Sequence, residues 1–354
     1  DGIIGTLTPS FSLASPSDTG YTGAGIASVV VQVSTDDGTS WTTKGTSAST
    51  SSPYAIALSG LTSQTTYKIQ ALVTDVAGNT STTALSTTSA LITVDTTAPT
   101  AGTVTMTTSD PGSDGIVNTL TPAFSLAVSG TSDGSYTGSG SNATGIATVV
   151  LQVSSNGSTW VDNATFTAPS GGGTAYTVTA SPALTSGTTY SVRALVTDLA
   201  GNTVTSALST TNGRITVDTT APTVGTLTLD TDNGSSSSDG IVGTLTPAFT
   251  LATASDTTYT GSNAPTAAVA SVVVQVSTDD GTTWTTKGTS ASTSSPYAIA
   301  LSGLTSQTTY KIQALVTDTA GNTSTTALST TSALVTVDTT APTAGTVTMT
   351  STDG

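Results

Sequence analysis

The residues best able to do chemistry in this chain are carboxylates and amides that recur at fixed positions. The turn motif TD-x-AGN occurs at residues 74–79, 197–202 and 317–322, and the segment VDTTAPT occurs at residues 94–100, 217–223 and 337–343. Carboxylate and amide oxygens are ligands for hard cations. They also serve ordinary turn chemistry, in which Asp and Asn side chains bond nearby backbone N–H groups.

A second group of carboxylates lies in DDG segments, which hold Asp36 with Asp37 and Asp279 with Asp280. Two carboxylates about 5 to 9.5 Å apart across a cleft could hydrolyse a glycoside. However, DDG is typical of an exposed hairpin turn, and the second repeat has Ser155 and Asn156 at these positions. We therefore interpret the pairs as solvated turns.

The composition excludes several classes of site. The chain has no His and no Cys, which removes imidazole bases, thiol nucleophiles, disulfides and most zinc sites. Ser and Thr are abundant, but no suitable base accompanies them. We predict that the chain is not an enzyme.

The charge balance limits the possible partners. A net charge of −15 with six basic residues argues against nucleic acid, which requires clustered Lys and Arg. No apolar run approaches the ~20 residues of a membrane-spanning helix, so membrane insertion is not expected either. An acidic surface of this kind attracts cations.

The same composition predicts an all-β chain. All 21 acidic residues are Asp, which favours turns, and none is Glu, which favours helices. Thr and Val are abundant, and β-branched residues suit strands. We expect no significant helix.

Internal repeats set the domain organisation. The phrase DG-I-[IV]-x-TLTP-x-F begins at Asp1, Asp114 and Asp239, at spacings close to the ~100 residues of one immunoglobulin-like sandwich. We predict domains at residues 1–96, 97–219 and 220–339, the first of them lacking its first strand. Residues 340–354 would form the first strand of a following domain or a donor strand.

The second repeat shows the strand pattern within a domain. Apolar alternation predicts strands at residues 103–106, 120–126, 146–153 and 190–197, with a polar loop at residues 129–144. Asn156-Gly157 predicts a tight hairpin. We expect Trp160, like Trp41 and Trp284, to cover one end of the core.

Several motifs resemble known domains. The segment LTSGTTY resembles the tyrosine corner of fibronectin type III and related immunoglobulin-like domains, which here pairs Leu184 with Tyr190, Leu61 with Tyr67, and Leu304 with Tyr310. The combination of DG-x-x-W, TD-x-AGN and VDTTAPT resembles the bacterial immunoglobulin-like repeats of large surface adhesins and extracellular filament proteins. The resemblance covers nearly the whole chain, although the second repeat has NG-x-x-W.

This resemblance implies tandem immunoglobulin-like β-sandwich domains of about seven strands each, located outside the cell or at its surface. It implies a structural role as an adhesin stalk, a filament or surface-layer material. Copies of the chain or neighbouring repeats would then be its partners. Alternatives are a carbohydrate- or ligand-binding module, which needs an exposed aromatic platform, and spacer domains of a larger secreted enzyme.

The resemblance also implies a candidate calcium site, since interdomain linkers of several adhesin families bind calcium. In a sandwich of this topology, the last turn faces the linker from the preceding domain. The candidate ligands are Asp95, Asp198 and Asn202 at the first junction, and Asp218, Asp318 and Asn322 at the second. Backbone carbonyls and the hairpin Asp pairs would have to complete the six to eight oxygens that calcium takes.

The C-terminal segment repeats an earlier strand. Residues 344–350 read AGTVTMT, as do residues 101–107. The segment could complete the first repeat of another molecule by strand addition. Since Asp353-Gly354 also repeats Asp1-Gly2, we favour the simpler interpretation that the chain is a window on a continuous array.

Overall fold

The structure is a computed structural model that describes residues 2–18, 25–87, 90–133, 145–168, 174–210, 213–256, 259–260, 266, 268–330 and 333–351. Its regular elements in these ranges are 28 β-strands. None of the described residues belongs to a helix with the length and hydropathy needed to cross a membrane. The all-β prediction is confirmed. Most of the loop predicted at residues 129–144 lies outside the described residues.

The first domain contains eight strands in two sheets. They are β1 (Ile3–Ile4), β2 (Ser10–Leu13), β3 (Ile26–Ser34), β4 (Thr42–Thr46), β5 (Tyr54–Ala57), β6 (Thr65–Asp75), β7 (Thr80–Ala84) and β8 (Leu91–Val94). One sheet has the order β1-β8-β6-β3-β4, and β7 also pairs with β6. The facing sheet, within the described residues, consists of β2 and β5.

The second domain adds a strand to the smaller sheet. Its strands are β9 (Val104–Met106), β10 (Ile116–Val117), β11 (Ala123–Ala127), β12 (Ile146–Ser154), β13 (Val161–Thr165), β14 (Ala175–Thr179), β15 (Thr188–Asp198), β16 (Thr203–Ala207) and β17 (Arg214–Val217). The larger sheet has the order β10-β17-β15-β12-β13, with β16 on β15, and the smaller has the order β14-β11-β9.

The third domain repeats this plan. Its strands are β18 (Thr223–Val224), β19 (Leu227–Leu229), β20 (Ile241–Val242), β21 (Ala248–Leu251), β22 (Ala254–Ser255), β23 (Val269–Ser277), β24 (Thr285–Thr289), β25 (Tyr297–Ala300), β26 (Thr308–Asp318), β27 (Thr323–Ala327) and β28 (Leu334–Val337). The sheets are β20-β28-β26-β23-β24, with β27 on β26, and β19-β21-β25, while β18 pairs with β22.

Alternating side chains build the core of each sandwich. In β15, Val192, Ala194 and Val196 are buried, while Arg193 and Thr197 on the other face are half-buried. This is the period of two that a strand with one face on a core requires. Burial of each such Val or Leu stabilises the fold by about 1.5–3 kcal/mol.

In the larger sheet of each domain, the first and last strands in chain order lie side by side. The pairs β1 with β8, β10 with β17, and β20 with β28 are parallel. Every other strand pair in these sheets, among the described residues, is antiparallel. The chain therefore enters and leaves each domain at opposite ends of this parallel pair.

The tyrosine corners predicted from the sequence are confirmed. The backbone N–H of Thr185 donates to the Tyr190 hydroxyl oxygen over 3.1 Å. Equivalent bonds of 2.9 Å reach Tyr67 and Tyr310. Each bond fixes the chain where it enters the longest strand of its domain.

The prediction for the tryptophans is wrong. All three are half-buried, lie just before the return strand of the hairpin and belong to none of the core clusters of the described residues. The Arg193 guanidinium lies 4.0 Å from the centre of the Trp160 ring, a cation–π contact. A side chain at Gly38, where φ is +91°, would meet the Trp41 ring at 3.3 Å. The ring therefore covers the hairpin and its basic neighbour, not the core.

The strand predicted at residues 120–126 begins later, at Ala123. The carbonyl of Leu120 instead accepts a hydrogen bond of 2.7 Å from the N–H of Leu184. The Leu120 carbonyl therefore bonds the loop that contains Leu184, and Leu120 does not belong to the ladder of β11.

Candidate functional site

The turn that follows β15 is built by the side chain of Asp198. Its Oδ1 accepts hydrogen bonds from the N–H groups of Ala200 and Asn202, at 2.8 and 2.9 Å. Its Oδ2 accepts the side-chain amide of Asn202 at 3.0 Å. Gly201 takes a φ of +91°, which favours glycine. The hydrogen bonds of Asp198 therefore lie within the TD-x-AGN motif itself.

The linker meets this turn directly after β8. The N–H of Asp95 donates to Ile4 in the first domain over 2.9 Å, and its Oδ1 accepts the N–H of Thr97 over the same distance. The side-chain amide of Asn202 donates to the Asp95 carbonyl, also at 2.9 Å. One residue of the linker is therefore bonded to both domains.

Three carboxylates converge at this junction. Asp95, Asp133 and Asp198 each place a carboxylate oxygen within 4.8 Å of the others. They are buried, with exposed fractions of 1%, 3% and 1%. The two ion pairs among the described residues lie elsewhere, between Lys68 and Asp37 and between Lys311 and Asp280. The cluster thus places three buried carboxylates close together.

The electrostatics of Asp95 reflect this arrangement. Burial, reinforced by the neighbouring carboxylates of Asp133 and Asp198, raises the pKa of Asp95 above its usual range. Its Oδ2 is buried and accepts no hydrogen bond from the described residues. A buried acceptor without a donor is costly unless a cation or a proton reaches it.

The second junction repeats the arrangement. Asp218 follows β17, and one oxygen from each of Asp218, Asp256 and Asp318 lies within 4.8 Å of the others. The side-chain amide of Asn322 donates to the Asp218 carbonyl at 2.9 Å and to Asp318 Oδ2 at 3.0 Å. The two clusters are therefore equivalent positions in successive domains.

The second junction has further contacts. The Tyr259 hydroxyl donates to Asp218 Oδ2 at 3.0 Å, and its ring packs with Ile116 of the second domain and Ala320 of the third. Burial, with the charge of Asp218, raises the pKa of Tyr259 far above its usual range. The phenol therefore stays protonated and serves as a hydrogen-bond donor to the cluster.

A backbone ladder also crosses this junction. Thr260 exchanges hydrogen bonds of 2.7 Å with the second domain, donating its N–H to Gly187 and accepting the N–H of Thr189. Two adjacent bonds of this kind extend the sheet of one domain with a residue of the next. The second junction is therefore held by the side chain of Tyr259 and by the backbone of Thr260.

The structure brings together four of the six residues that the sequence pointed to as ligands. Asp95 lies with Asp198, and Asp218 lies with Asp318. Asn202 and Asn322 stand beside the clusters, but their amide nitrogens donate to the linker carbonyls. In this arrangement the two amides fasten the turn to the linker.

The sequence analysis missed the third carboxylate of each cluster, Asp133 and Asp256. A signal for them exists, because a Ser-Asp pair follows the F-x-L strand of every repeat, at residues 17–18, 132–133 and 255–256. This pair lies far from the turn motif in the sequence, so the sequence does not indicate that the two are close in space.

Contrary to expectation, neither carboxylate cluster of the described residues includes a hairpin aspartate. In the third domain the strand register gives the reason. The first residue of β23, Val269, pairs with Asp318, whereas its last residue, Ser277, pairs with Lys311. The hairpin therefore lies at the opposite end of the nine-residue strand. Hydrogen bonds within the turn, above all from the Thr283 side chain, lower the pKa of Asp279 to about 2.

The first domain carries the same turn between β6 and β7. Asn79 donates its N–H and its side-chain amide to the two oxygens of Asp75, each at 2.8 Å. The side-chain bond from Asn79 lowers the pKa of Asp75. The bonds within the turn are therefore the same in the first domain as at the two junctions.

Comparisons with known proteins concern the fold. No protein-family model and no curated protein sequence matches the chain. The FN1–FN3 domains of chicken CNTN1 match at 11% identity and a TM-score of 0.33, covering 94% of this chain and 95% of that one. Consecutive domains from titin match at 10% identity and a TM-score of 0.32, covering 94% and 100%.

A third similar structure is the Bacteroides ovatus mixed-linkage glucan utilization locus protein SGBP-B, in complex with a mixed-linkage heptasaccharide. It matches at 16% identity and a TM-score of 0.20, covering 95% of this chain and 65% of that one. At these identities and TM-scores, the similar structures carry no information about what this chain binds.

Proposed function

We propose that this chain is a structural segment of a bacterial or archaeal extracellular surface protein, such as an adhesin stalk, a filament or surface-layer material. Its immunoglobulin-like domains would be joined end to end and fastened by calcium ions at the junctions. The observation that carries this proposal is the pair of equivalent three-carboxylate clusters, one at each junction.

Burial of three carboxylates favours a divalent cation. Like charges this close repel one another, and removing them from water adds a further cost. A bound dication offsets both effects and supplies a partner for Asp95 Oδ2. All candidate ligand atoms are oxygens, which suits calcium better than a transition metal.

The ligands that would hold each ion come from both sides of a junction. Asp95 and Asp218 belong to the linkers, while Asp133, Asp198, Asp256 and Asp318 belong to the following domains. Water or backbone carbonyls would complete the six to eight oxygens. An ion shared in this way would hold the linker against the next domain and limit bending between them.

The spacer alternative, in which the domains separate parts of a larger secreted enzyme, assigns the junctions the same mechanical role. A carbohydrate-binding module would instead depend on exposed aromatic rings. The three tryptophans are half-buried and lie at separate hairpins, and the Trp160 ring is covered by Arg193. Such rings offer little free face for a sugar.

Calorimetric titration of the whole chain with calcium tests the proposal. We expect two sites in the unmodified chain, one in Asp133→Asn, one in Asp256→Asn and none in the double variant. Asn keeps the shape of Asp but removes a charge from the cluster. Asp280→Asn is the matched control, since this exposed hairpin carboxylate is paired with Lys311 and should leave both sites intact.

Two results would overturn the calcium proposal. One is the absence of binding to the unmodified chain at calcium concentrations up to the millimolar range. The other is two intact sites in the double variant. Thermal unfolding with and without calcium gives a second measurement, because an ion that binds only the folded junction raises the unfolding temperature.

A further inference from the structure

Tyr259 holds a fixed position between the second and third domains. The residue is 9% exposed, and its ring packs with Ile116 of the second domain and Ala320 of the third. The N–H of the next residue, Thr260, donates to the Gly187 carbonyl at 2.7 Å. Because both the ring and the adjacent backbone are held, packing sets the direction in which the phenol points.

The phenol points at the linker carboxylate of the second junction. Its hydroxyl donates to Asp218 Oδ2 at 3.0 Å, while Asp218 Oδ1 accepts the N–H of Thr220 at 2.9 Å. The Asp218 N–H in turn donates to the Val117 carbonyl, also at 2.9 Å. A carboxylate that is bonded through both oxygens and through its backbone has little freedom to rotate.

A second hydroxyl stands behind the phenol. Thr319 Oγ1 lies 3.3 Å from the Tyr259 hydroxyl oxygen. An ionised carboxylate only accepts hydrogen bonds, so the single phenol proton is committed to Asp218. The Thr319 hydroxyl is therefore the donor to the Tyr259 oxygen. The three side chains form a hydrogen-bonded chain that runs from Thr319 through Tyr259 to Asp218, in which each bond polarises the next.

The sequence links the tyrosine to the carboxylate cluster. Asp256, the third carboxylate of the second junction, belongs with Tyr259 to the motif SD-x-x-YTG. This motif recurs at residues 17–23, 132–138 and 255–261. The tyrosines of the first two copies lie outside the described residues. Each repeat thus carries a tyrosine three residues after the aspartate of this motif.

Thr319 distinguishes the third repeat from the other two. It occupies the variable position of TD-x-AGN, where the first repeat has Val76 and the second has Leu199. Aliphatic side chains donate no hydrogen bond. The chain of hydroxyls that includes Thr319 is therefore a property of the second junction.

We propose that Tyr259 is a positioning residue of the calcium site at the second junction, and that Thr319 acts on the site through it. The inference rests on the calcium proposal. Carboxylates that ligate metals are held in orientation by neighbouring hydrogen bonds, and loss of such a neighbour typically lowers metal affinity by about 10- to 100-fold. Tyr259 holds Asp218 so that one of its oxygens stays close to those of Asp256 and Asp318.

The phenol and the ion are compatible on Asp218. Competition between them for Oδ2 would give the opposite effect on affinity. A carboxylate has about four lone-pair sites on its two oxygens. Asp218 uses one site on each oxygen, for Tyr259 and for Thr220. Lone pairs on both oxygens remain for an ion, so the hydrogen bond orients the ligand without displacing the cation.

Calorimetric titration with calcium tests the inference in the Asp133→Asn chain, where the calcium proposal leaves the second site alone. Adding Tyr259→Phe keeps the ring against Ile116 and Ala320 and removes the hydroxyl. We expect the calcium dissociation constant to rise about 10- to 100-fold. Tyr297→Phe is the matched control, because Tyr297 lies in the core of the third domain and should leave the constant unchanged.

Thr319→Val is a second variant, which removes a hydroxyl with little change in shape and leaves Tyr259 in place. We expect it to raise the dissociation constant less than Tyr259→Phe does. In a chain that already carries Tyr259→Phe, it should have no further effect, because two groups that act as a unit are not additive.

The near-UV absorbance of tyrosine gives a readout that a merely structural role would not change. Calcium draws electron density from Asp218 and weakens its bond to the phenol. Addition of calcium to the Asp133→Asn chain should therefore change the tyrosine absorbance, and Tyr259→Phe should abolish this change.

Four results would overturn this inference. They are an unchanged or lower dissociation constant in Tyr259→Phe, an equal rise in Tyr297→Phe, additive effects of Tyr259→Phe and Thr319→Val, or an absorbance change that persists in Tyr259→Phe. Each of these leaves calcium binding itself intact. Absence of binding to the Asp133→Asn chain would instead overturn the calcium proposal at this junction, and this inference with it.

Discussion

Aspartate has two opposite roles in this chain, and the surroundings of each carboxylate decide which it takes. Asp36 is exposed, and hydrogen bonds, above all from the Ser40 side chain, lower its pKa to about 2. Asp95 is buried beside other carboxylates, and its pKa is raised. The first carboxylate stabilises its own turn in the charged form, whereas burial and its neighbours disfavour the charged form of the second.

We predict that Ser40→Ala raises the pKa of Asp36 toward its ordinary value, because the substitution removes the bond from the Ser40 hydroxyl to Asp36 Oδ2. A lowered pKa means that these bonds stabilise the hairpin above the ordinary pKa of Asp and that the contribution is lost as pH falls toward about 2. NMR titration of the Asp side-chain carboxyl signals measures the change.

The third domain supplies the control for this prediction. Asp279 accepts the equivalent bond from Thr283 and has a pKa of about 2 as well. Its titration should not move in the Ser40→Ala chain. Equal shifts at both residues would contradict a local origin of the lowered pKa.

At the level of elements, the three copies of one strand differ in what covers them. β11 and β21 each have a neighbour on both edges, while β2, among the described residues, has one. Leu126 and Leu251 are fully buried, and Leu13 is half-buried. The sequence of the strand is similar in all three, so the difference in burial comes from its neighbours.

We predict that Leu126→Ala destabilises the second domain by about 2–5 kcal/mol, the range for a buried Leu that leaves a cavity. Leu13→Ala should cost less than half as much in the first domain, since Leu13 already borders an open groove. Denaturant unfolding of the dilute chain, monitored by hydrogen exchange in each domain, measures the change in the free energy of unfolding for both substitutions. Equal costs would contradict a dependence on the burial of the two side chains.

Sequence patterns predicted the strands well and their partners less well. The alternation in β15 and the leucine-to-tyrosine corner at Tyr190 are local, so the sequence reveals them directly. The hairpin position of Trp160 predicts a side chain that covers one end of the core, but the Arg193 guanidinium lies over its ring. Contacts of this kind depend on the sheet register, which the repeat pattern does not contain.

At the scale of the whole molecule, hydrogen bonds at the junctions connect each linker to the domain that follows it. Asn322 bonds the last turn of the third domain to the linker carbonyl of Asp218. Asn79 bonds the aspartate of its own turn in the first domain, as Asn322 also does in the third. Substitutions of the two residues therefore distinguish the effect of the turn from the effect of the linker bond.

We predict that Asn322→Ala loosens the joint between the second and third domains, because one interdomain hydrogen bond worth about 1 kcal/mol is lost. Asn79→Ala disturbs an equivalent turn without that bond and is the matched control. Small-angle X-ray scattering of the whole chain should show a wider distribution of dimensions for Asn322→Ala than for Asn79→Ala. Identical profiles for the two variants would contradict a role of Asn322 in the joint.

The candidate site could be found in part from the sequence. The turn and the linker both carry repeated motifs, so the sequence alone predicts that Asp95 and Asp198 are neighbours. Asp133 and Asp256 were not, because they follow a different strand and only the closed sandwich brings them to the junction. The ladder of Thr260 has no sequence signal at all, since it uses backbone groups alone.

The parallel pairing of first and last strands has a mechanical consequence. Tension along the chain would pull β10 and β17 in opposite directions, so their hydrogen bonds would bear the load together in shear instead of opening one after another. The last bond of this set runs from the Asp218 N–H to the Val117 carbonyl, at 2.9 Å. Asp218 therefore ends this ladder and also belongs to the carboxylate cluster, so a cation held there would reinforce the end of the second domain against tension.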